Sequence, residues 1–369
     1  MRTKQKKVDK FFLTTVLILV FTGVAMFISA SLGILDKNKE IFYSVLFNQL
    51  VLGLGLGLLF MYIASRINYK FWRKYSLLIF LGGILLTLAV FIPSLGLSHG
   101  GAERWLNFGG VSFQPVEALK FGFVIYFAAW LSFIKNKVED IRWGILPFLG
   151  MFAIIALILL KQPDTKSLIL ICIVGIAMLF VSGVPVKYLF GSLIILSILF
   201  GVLVFAKPYL KERVKTFIDP TQNAQSSSYQ IRQSLIALGS GGIFGRGYGQ
   251  SVQKFTYLPE AQGDSIFAVV GEELGFLGAT GIVILYLFFI FRGFRISSRA
   301  PDLFSRLLVF GIVILIGAQA FMHIASVAGV FPLTGVPLPF MSHGGTSLMI
   351  YLVAIGIVLQ VSKHQGKSS

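Results

Sequence analysis

Glu117 and Lys120 stand three residues apart in Gln114-Pro115-Val116-Glu117-Ala118-Leu119-Lys120, so on a helix they share a face and can pair. Pro115 suits the first helical position, where an N–H would have no intrahelical partner. Two opposite charges opening an apolar run have two readings. They are a structural ion pair buried between helices, or the polar floor of a cavity that opens outward. Arg104-Trp105 is equally double: an interfacial anchor with the indole at headgroup level, or a planar guanidinium fork gripping a phosphate. Gln162-Pro163-Asp164 makes a tight turn in which Pro163 sets the bend and Asp164 can cap the helix that follows.

The densest polar signal comes later. Tyr229-Gln230-Ile231-Arg232-Gln233-Ser234 precedes a glycine-rich stretch, Gly239-Ser240-Gly241-Gly242-Ile243-Phe244-Gly245-Arg246-Gly247-Tyr248-Gly249. Neither dinucleotide nor Walker spacing is met, so the glycines read as backbone close to a ligand or as a tightly turned re-entrant segment. Gln253-Lys254, Leu258-Pro259-Glu260 and Asp264 follow, then Glu272-Glu273-Leu274-Gly275. Asp264 alone reads as the N-cap of the next apolar helix. Further on, Pro332, Pro337 and Pro339 forbid a regular helix before Ser342-His343-Gly344-Gly345-Thr346-Ser347. At membrane depth such backbone must be covered by protein or line a wet cavity. His343 reads as a packing or hydrogen-bonding residue.

The elements that must position these groups follow from composition. Of 369 residues, 56% are hydrophobic, 13% are charged and 36 are phenylalanine. A membrane span needs roughly 20 mainly apolar residues. Soluble, disordered and collagen-like chains are excluded. The fold class is an all-α polytopic membrane protein. Ten spans are expected, at about 12–34, 43–64, 75–95, 115–134, 143–161, 167–183, 188–206, 266–291, 303–327 and 347–362. Small residues such as Gly53 and Gly57 read as helix-packing features. The net charge of +17 reflects lysine- and arginine-rich cytoplasmic loops rather than nucleic acid, since no aromatic-interleaved basic domain is present. The lone Cys172 cannot form an intrachain disulfide, and four scattered histidines show no zinc spacing.

Cations set the orientation. With both termini cytoplasmic, the inner segments hold Arg66, Lys70, Arg73 and Lys74; Lys135, Lys137 and Arg142; and Arg292, Arg295 and Arg299. Lys4, Lys6, Lys7 and Lys10 precede the first span, which is too long for a signal peptide and reads as an uncleaved anchor. Residues 207–265 then form one long outer loop between the seventh and eighth spans, carrying Lys207, Lys211, Arg213, Lys215, Arg232, Arg246 and Lys254. A loop of that length is usually functional.

In order and spacing, these motifs resemble the SEDS family, the polytopic glycosyltransferases of bacterial cell-wall synthesis. The resemblance spans nearly the whole chain, taken as a single membrane domain, 1–369. It rests on Arg104-Trp105, Gln114-Pro115 with Glu117 and Lys120, Gln162-Pro163-Asp164, Tyr229–Gly249 and Leu258-Pro259-Glu260-Ala261. It continues through Asp264, Glu272-Glu273-Leu274-Gly275, Leu338-Pro339-Phe340 and Ser342–Ser347. Gln253-Lys254 ahead of Tyr257-Leu258-Pro259-Glu260 is more similar to the division branch than to the elongation branch. The chain departs from the family at Ser265, where an aromatic is common, at Thr165-Lys166-Ser167, where Leu-Gly-Thr is common, and at His343, where tyrosine is usual.

The resemblance implies polymerisation of lipid II, a disaccharide-peptide on undecaprenyl pyrophosphate, at the outer face of the bacterial cytoplasmic membrane. A sugar hydroxyl must lose a proton as it attacks the anomeric carbon, which calls for one positioned carboxylate. Charge developing on the pyrophosphate calls for cations or a metal. Asp264 matches the family's key aspartate and is the expected catalytic base. Arg104, Trp105, Glu117, Lys120, Gln162, Asp164 and Arg232 are expected substrate-binding residues. So are Gln233, Arg246, Lys254, Glu260, Ser342, Gly344 and Gly345. No cofactor is definitely implied, and a divalent cation such as Mg at the pyrophosphate is compatible with the resemblance. The implied partners are lipid II, membrane lipid, a class B penicillin-binding protein (met by the spans around 266–327) and other division proteins. Three rivals stay open: a precursor-flipping transporter, which would use ionisable groups near the midplane such as Glu272 and Glu273, a division-site scaffold, and an elongation-type polymerase.

Overall fold

The computed structural model describes residues 8–36, 38–99, 102–108, 111–219 and 227–364. The N-terminal hairpin consists of α1 (Lys10–Leu35), α2 (Lys39–Phe47), a π-helical segment (Asn48–Gly55) and α3 (Leu56–Ala64). The last three run on as one apolar span, Lys39–Ala64. A short α4 (Tyr69–Lys74) leads to α5 (Ser76–Ala89). Next come β1 (Gly96–His99), β2 (Ala102–Phe108) and β3 (Val111–Phe113), an antiparallel sheet in the order β1-β2-β3. The small sheet is the one departure from the all-α expectation among the described residues, and it carries Arg104 and Trp105, with Trp105 opposite Leu97.

From Pro115 the chain is helical again: α6 (Pro115–Phe133), α7 (Ile145–Lys161), α8 (Thr165–Ser182) and α9 (Val186–Ala206). Pro115 takes the first position of α6, as its missing N–H dictates. The long loop is itself helical, built from α10 (Pro208–Ile218), α11 (Ser227–Ser240) and α12 (Gln253–Thr256). Then come α13 (Ile266–Ser298), α14 (Leu303–Val327) and α15 (Gly345–Ser362).

Eight described helices are long and apolar enough to cross a membrane, and two shorter apolar ones, Ser76–Ala89 and Ile145–Lys161, account for the third and fifth expected spans. The chain is a multi-pass membrane protein. The third expected span overran, because the chain turns at Val90 and enters the sheet at Gly96.

Position in the bundle follows side-chain character. α15 is buried over 83% of its apolar window, whereas α9 is buried over 17%. A helix apolar all round belongs either inside a bundle or against lipid. Small residues choose between these for α15: Gly53 meets the backbone of Gly345 at 2.8 Å, and Gly57 meets Met349 Cα at 3.2 Å, where a Cβ would sit. This is the close backbone approach expected of Gly53 and Gly57. α6, α14 and α15 thus form the interior, sharing one continuous apolar core.

Candidate active site at the sheet-bearing end

α13 begins at Ile266 with Ser265 as its N-cap residue, and no side chain caps it. Asp264 is therefore not the cap that spacing suggested. Ser265 is committed elsewhere, donating to the Pro259 carbonyl at 2.9 Å and accepting from Gln230 at 2.9 Å. Asp264 is half-buried, and among the described residues its carboxylate takes part in no hydrogen bond or ion pair. That leaves both oxygens able to accept.

The proline-rich segment after α14 lies across this carboxylate as a strap. Its carbonyls have no helical partners, so side chains must supply them. Arg213 of α10 donates to Thr334 O at 3.1 Å, and Lys166 of α8 donates to Gly335 O. His323 Nδ1 meets Val336 O at 2.7 Å, which makes Nδ1 the protonated nitrogen, since a carbonyl only accepts. Gln319 donates to Pro337 O at 3.1 Å, and Tyr286 donates to Pro339 O. Gly335 has φ +64°, and a Cβ there would stand 2.9 Å from Asp264 Oδ2. Only glycine satisfies both the left-handed backbone and the carboxylate's approach.

The cations divide into two groups. Three of the expected site cations are tied to carboxylates among the described residues. Lys120 and Glu117 pair at 2.8 Å, both about 2% exposed, and Gln319 and Tyr351 close the network at 2.8 and 3.0 Å. The pair forms as the spacing predicts and is buried inside the bundle. Lys254, also expected at a pyrophosphate, is buried against Glu273 at 2.6 Å, with Ser29 Oγ and Gly249 O as further acceptors. Arg246 lies 3.7 Å from Glu272.

The second group has only neutral hydrogen-bond partners among the described residues. Half-buried Arg104 donates through Nε to Gln162 O at 3.1 Å and through Nη2 to Pro163 O. Arg213 and Lys166 are the other two members. Burial lowers the pKa of the Arg213 guanidinium from its ordinary value and nearby Arg104 lowers it further, while Asp264, Tyr209 and Asp164 oppose. Asp164 caps α8, accepting from Ser167 N at 3.3 Å and Ser167 Oγ at 2.9 Å, as expected. Gln162 bonds Thr87 O at 2.8 Å and is buried, which fits a turn-holding role.

Glu272 and Glu273 clasp the glycine-rich segment to the bundle. Glu273 accepts from Ser29, from Gly249 N at 3.0 Å and from Ser251 N at 3.3 Å; Glu272 accepts from Ser251 Oγ at 2.5 Å and Val252 N at 3.0 Å. Both carboxylates are buried and fully occupied. On Asp264's other flank, Ser342 donates to Gly263 O at 2.8 Å and His343 N donates to Gln262 O at 2.7 Å. Beside them a cleft is lined by Asn48, Trp105, Ser112, His343, Gly344 and Thr346. Gly344 N bonds Gln49 Oε1 at 2.9 Å, and Gly345 packs on Asn48 O. Gln49 belongs to the π-helical segment, an irregularity frequent at functional sites.

Arg232 and Gln233 lie half-buried on α11, and Glu260 is exposed with its carbonyl accepting from Gly263 N and Ser265 N. The residues that sequence reasoning missed are Lys166, Gly335, His323 and Gln319, while Arg213 was named only as one of the long loop's cations. Their signal was weak: Lys166 is a cation two residues past a capping aspartate, and Gly335 is a glycine between prolines. Among the described residues no cluster of three or more His, Cys, Asp or Glu stands ready to hold a metal ion.

Residues 9–367 match the family model described as cell cycle protein, covering FtsW, RodA and SpoVE. A probable peptidoglycan glycosyltransferase FtsW of Geobacter sp. (strain M18) is 38% identical over 354 residues, covering 96% of each chain. Stage V sporulation protein E of Bacillus subtilis (strain 168) is 37% identical over 365 residues, covering 99% of each. Among solved structures, a chain from a peptidoglycan synthase complex, studied for the coordination of polymerization and crosslinking, superposes with TM-score 0.79 at 25% identity. That match covers 98% of this chain and 99% of the other. Thermus thermophilus RodA, a rod shape determining protein, gives TM-score 0.70 at 25% identity, with 98% of each chain covered.

Proposed function

This chain belongs to the FtsW, RodA and SpoVE family of cell cycle proteins, and from that membership and its site we propose that it is a peptidoglycan glycosyltransferase that polymerises lipid II. One observation carries the mechanism: Asp264, a carboxylate that caps no helix and has no hydrogen-bond or ion-pair partner among the described residues, stands beside half-buried cations whose hydrogen-bond partners among those residues are neutral. An acceptor sugar hydroxyl gives its proton to Asp264 while its oxygen attacks the anomeric carbon of the donor. The bond from that carbon to the pyrophosphate breaks, and the electron pair leaves on the pyrophosphate. No proton need be supplied to so good a leaving group, so a single carboxylate suffices where glycosidases use two. Cations compensate the charge that leaves.

The strap makes Asp264 a fixed base, since Gly335 stands against it and side chains from α8, α10, α13 and α14 hold the strap. Glu272 and Glu273, the acidic pair that a transporter would use near the midplane, are consumed in holding the glycine-rich segment. That favours chemistry over alternating access. The sheet-bearing end faces outward and both termini face the cytoplasm, in keeping with the cation distribution. Synthesis is septal, and a class B penicillin-binding protein is the crosslinking partner. Its span meets the exposed apolar face of α13 that includes Phe276, Leu277, Ile284, Leu287 and Phe288.

The test is polymerisation of purified lipid II by the purified chain, alone and with that partner. Glycan strands should form with the partner present. Transbilayer movement of lipid II without any glycan product would instead establish the transporter.

A further inference from the structure

Arg104, Lys166 and Arg213 come from three separate elements, β2, α8 and α10, and meet beside Asp264. Lys166 Nζ and Asp264 Oδ2 lie 3.9 and 2.9 Å from one point, the Cβ position of Gly335. Arg213 holds the preceding carbonyl of the same strap, at 3.1 Å. Arg104 holds the turn from which α8, and with it Lys166, emerges. All three are half-buried, and none forms an ion pair among the described residues. Two carboxylates among the described residues, Asp164 and Asp264, act on Arg213. Asp164 is occupied in capping α8, and Asp264 is the proposed base.

Three partly desolvated cations against one uncommitted carboxylate leave the site with excess positive charge. Burying such charge is costly without an anion to match it. The resting partners are neutral backbone carbonyls, which accept a hydrogen bond but carry no charge to offset the cations, whereas a phosphate oxygen supplies both the acceptor and the opposite charge. Exchange of carbonyl for phosphate is therefore favourable. The spread of the cations over three separate elements suits an extended dianion or trianion better than a single phosphate. Two guanidinium forks and one ammonium also match the mixed oxygen geometry of a diphosphate ester.

We propose that Arg104, Lys166 and Arg213 form a diphosphate-binding site that holds the pyrophosphate of the donor at Asp264, with the strap carbonyls as its resting counterparts. The proposal rests on the glycosyltransferase reading for the identity of the ligand but not for the site itself. It places the leaving group on the strap side of Asp264. The cleft lined by Trp105, His343 and Thr346, on the other flank, is then free for the acceptor sugar.

The test uses the full chain in detergent with EDTA present, titrated with inorganic pyrophosphate and, separately, with inorganic phosphate. Wild type should bind pyrophosphate at least about tenfold more tightly than phosphate. Lys166→Met and Arg213→Met should each weaken pyrophosphate binding by on the order of tenfold or more, the loss of one charge-assisted hydrogen bond. Lys211→Met removes an exposed cation from the same α10 and should bind as wild type does. Lys166→Arg keeps the charge and should bind close to wild type, which separates loss of the site from loss of the fold, and melting temperatures check each variant. Wild-type affinity in both Met variants would overturn the site, as would failure of the wild type to bind pyrophosphate. Binding that survives while the chain polymerises nothing would count against the enzymatic reading and leave this site standing.

Discussion

Replacing Lys120 with methionine is the sharpest probe of the buried network. Lys120 Nζ touches Glu117 Oε1 and Gln319 Oε1, each at 2.8 Å, and neither end of the ion pair is more than about 3% exposed. Lys120→Met leaves Glu117 charged in the bundle interior with Tyr351 as its remaining donor, at 3.0 Å. Breaking one side of a buried pair typically costs about 3–5 kcal/mol. An orphaned amide oxygen on Gln319 adds roughly 1–3 kcal/mol, though the two are not simply additive. Gln319 also loses the partner that fixes its other end on Pro337 O, so the strap loosens with it. Glu117→Gln combined with Lys120→Met removes both charges and should recover most of the lost stability. The assay is thermal unfolding in detergent, with polymerisation measured per folded molecule. A Lys120→Met protein that melts like wild type yet is inactive would refute the argument, because it would make the pair a substrate contact rather than a strut.

Other consequences follow from the same geometry. Gly335→Ala should lower activity by on the order of a hundredfold with the fold retained, since its methyl would press on Asp264 Oδ2 and a displacement of about 1 Å can cost that much; unchanged turnover would show that Asp264 has freedom to move. Glu273→Ala strands Lys254 and should cost about 3–5 kcal/mol and open residues 241–251 to limited proteolysis, whereas Glu273→Gln with Lys254→Met should restore protection. In a Cys172→Ala background, Lys211→Cys should react with an impermeant thiol reagent on intact cells and Lys70→Cys should not; the reverse pattern would invert the orientation.

The spans, their order and their capping were legible because apolar length and turn chemistry are local. Asp164 as a cap, Pro115 at a helix start and the Glu117–Lys120 pair all depend on residues within one or two turns. The small sheet was hidden because β1 to β3 span few residues, and the alternation at Leu106-Asn107-Phe108 and Val111-Ser112-Phe113 lasts only three residues each. Partner choice for the cations was not legible, since it is settled by contacts across the whole chain. Lys254 finds Ser29, Lys166 finds Gly335 and Arg213 finds Thr334, at sequence separations of 225, 169 and 121. A basic residue in a loop looks the same in sequence whether it will meet a carboxylate or be left for a ligand. The cap at Asp264 failed for a related reason: Ser265 takes the N-cap position with its hydroxyl held by Gln230 and the Pro259 carbonyl, so no side chain caps α13, and the strap stands against Asp264.

The central claim is that Asp264 takes the proton of the attacking hydroxyl. Asp264→Asn preserves size and, since Asp264 caps nothing, leaves the start of α13 untouched. Polymerisation of purified lipid II by the Asp264→Asn chain with its partner should fall by at least about a hundredfold, the lower end of what a positioned base contributes. Melting temperature and partner binding should match wild type. Asp264→Asn making glycan strands at the wild-type rate would contradict the account.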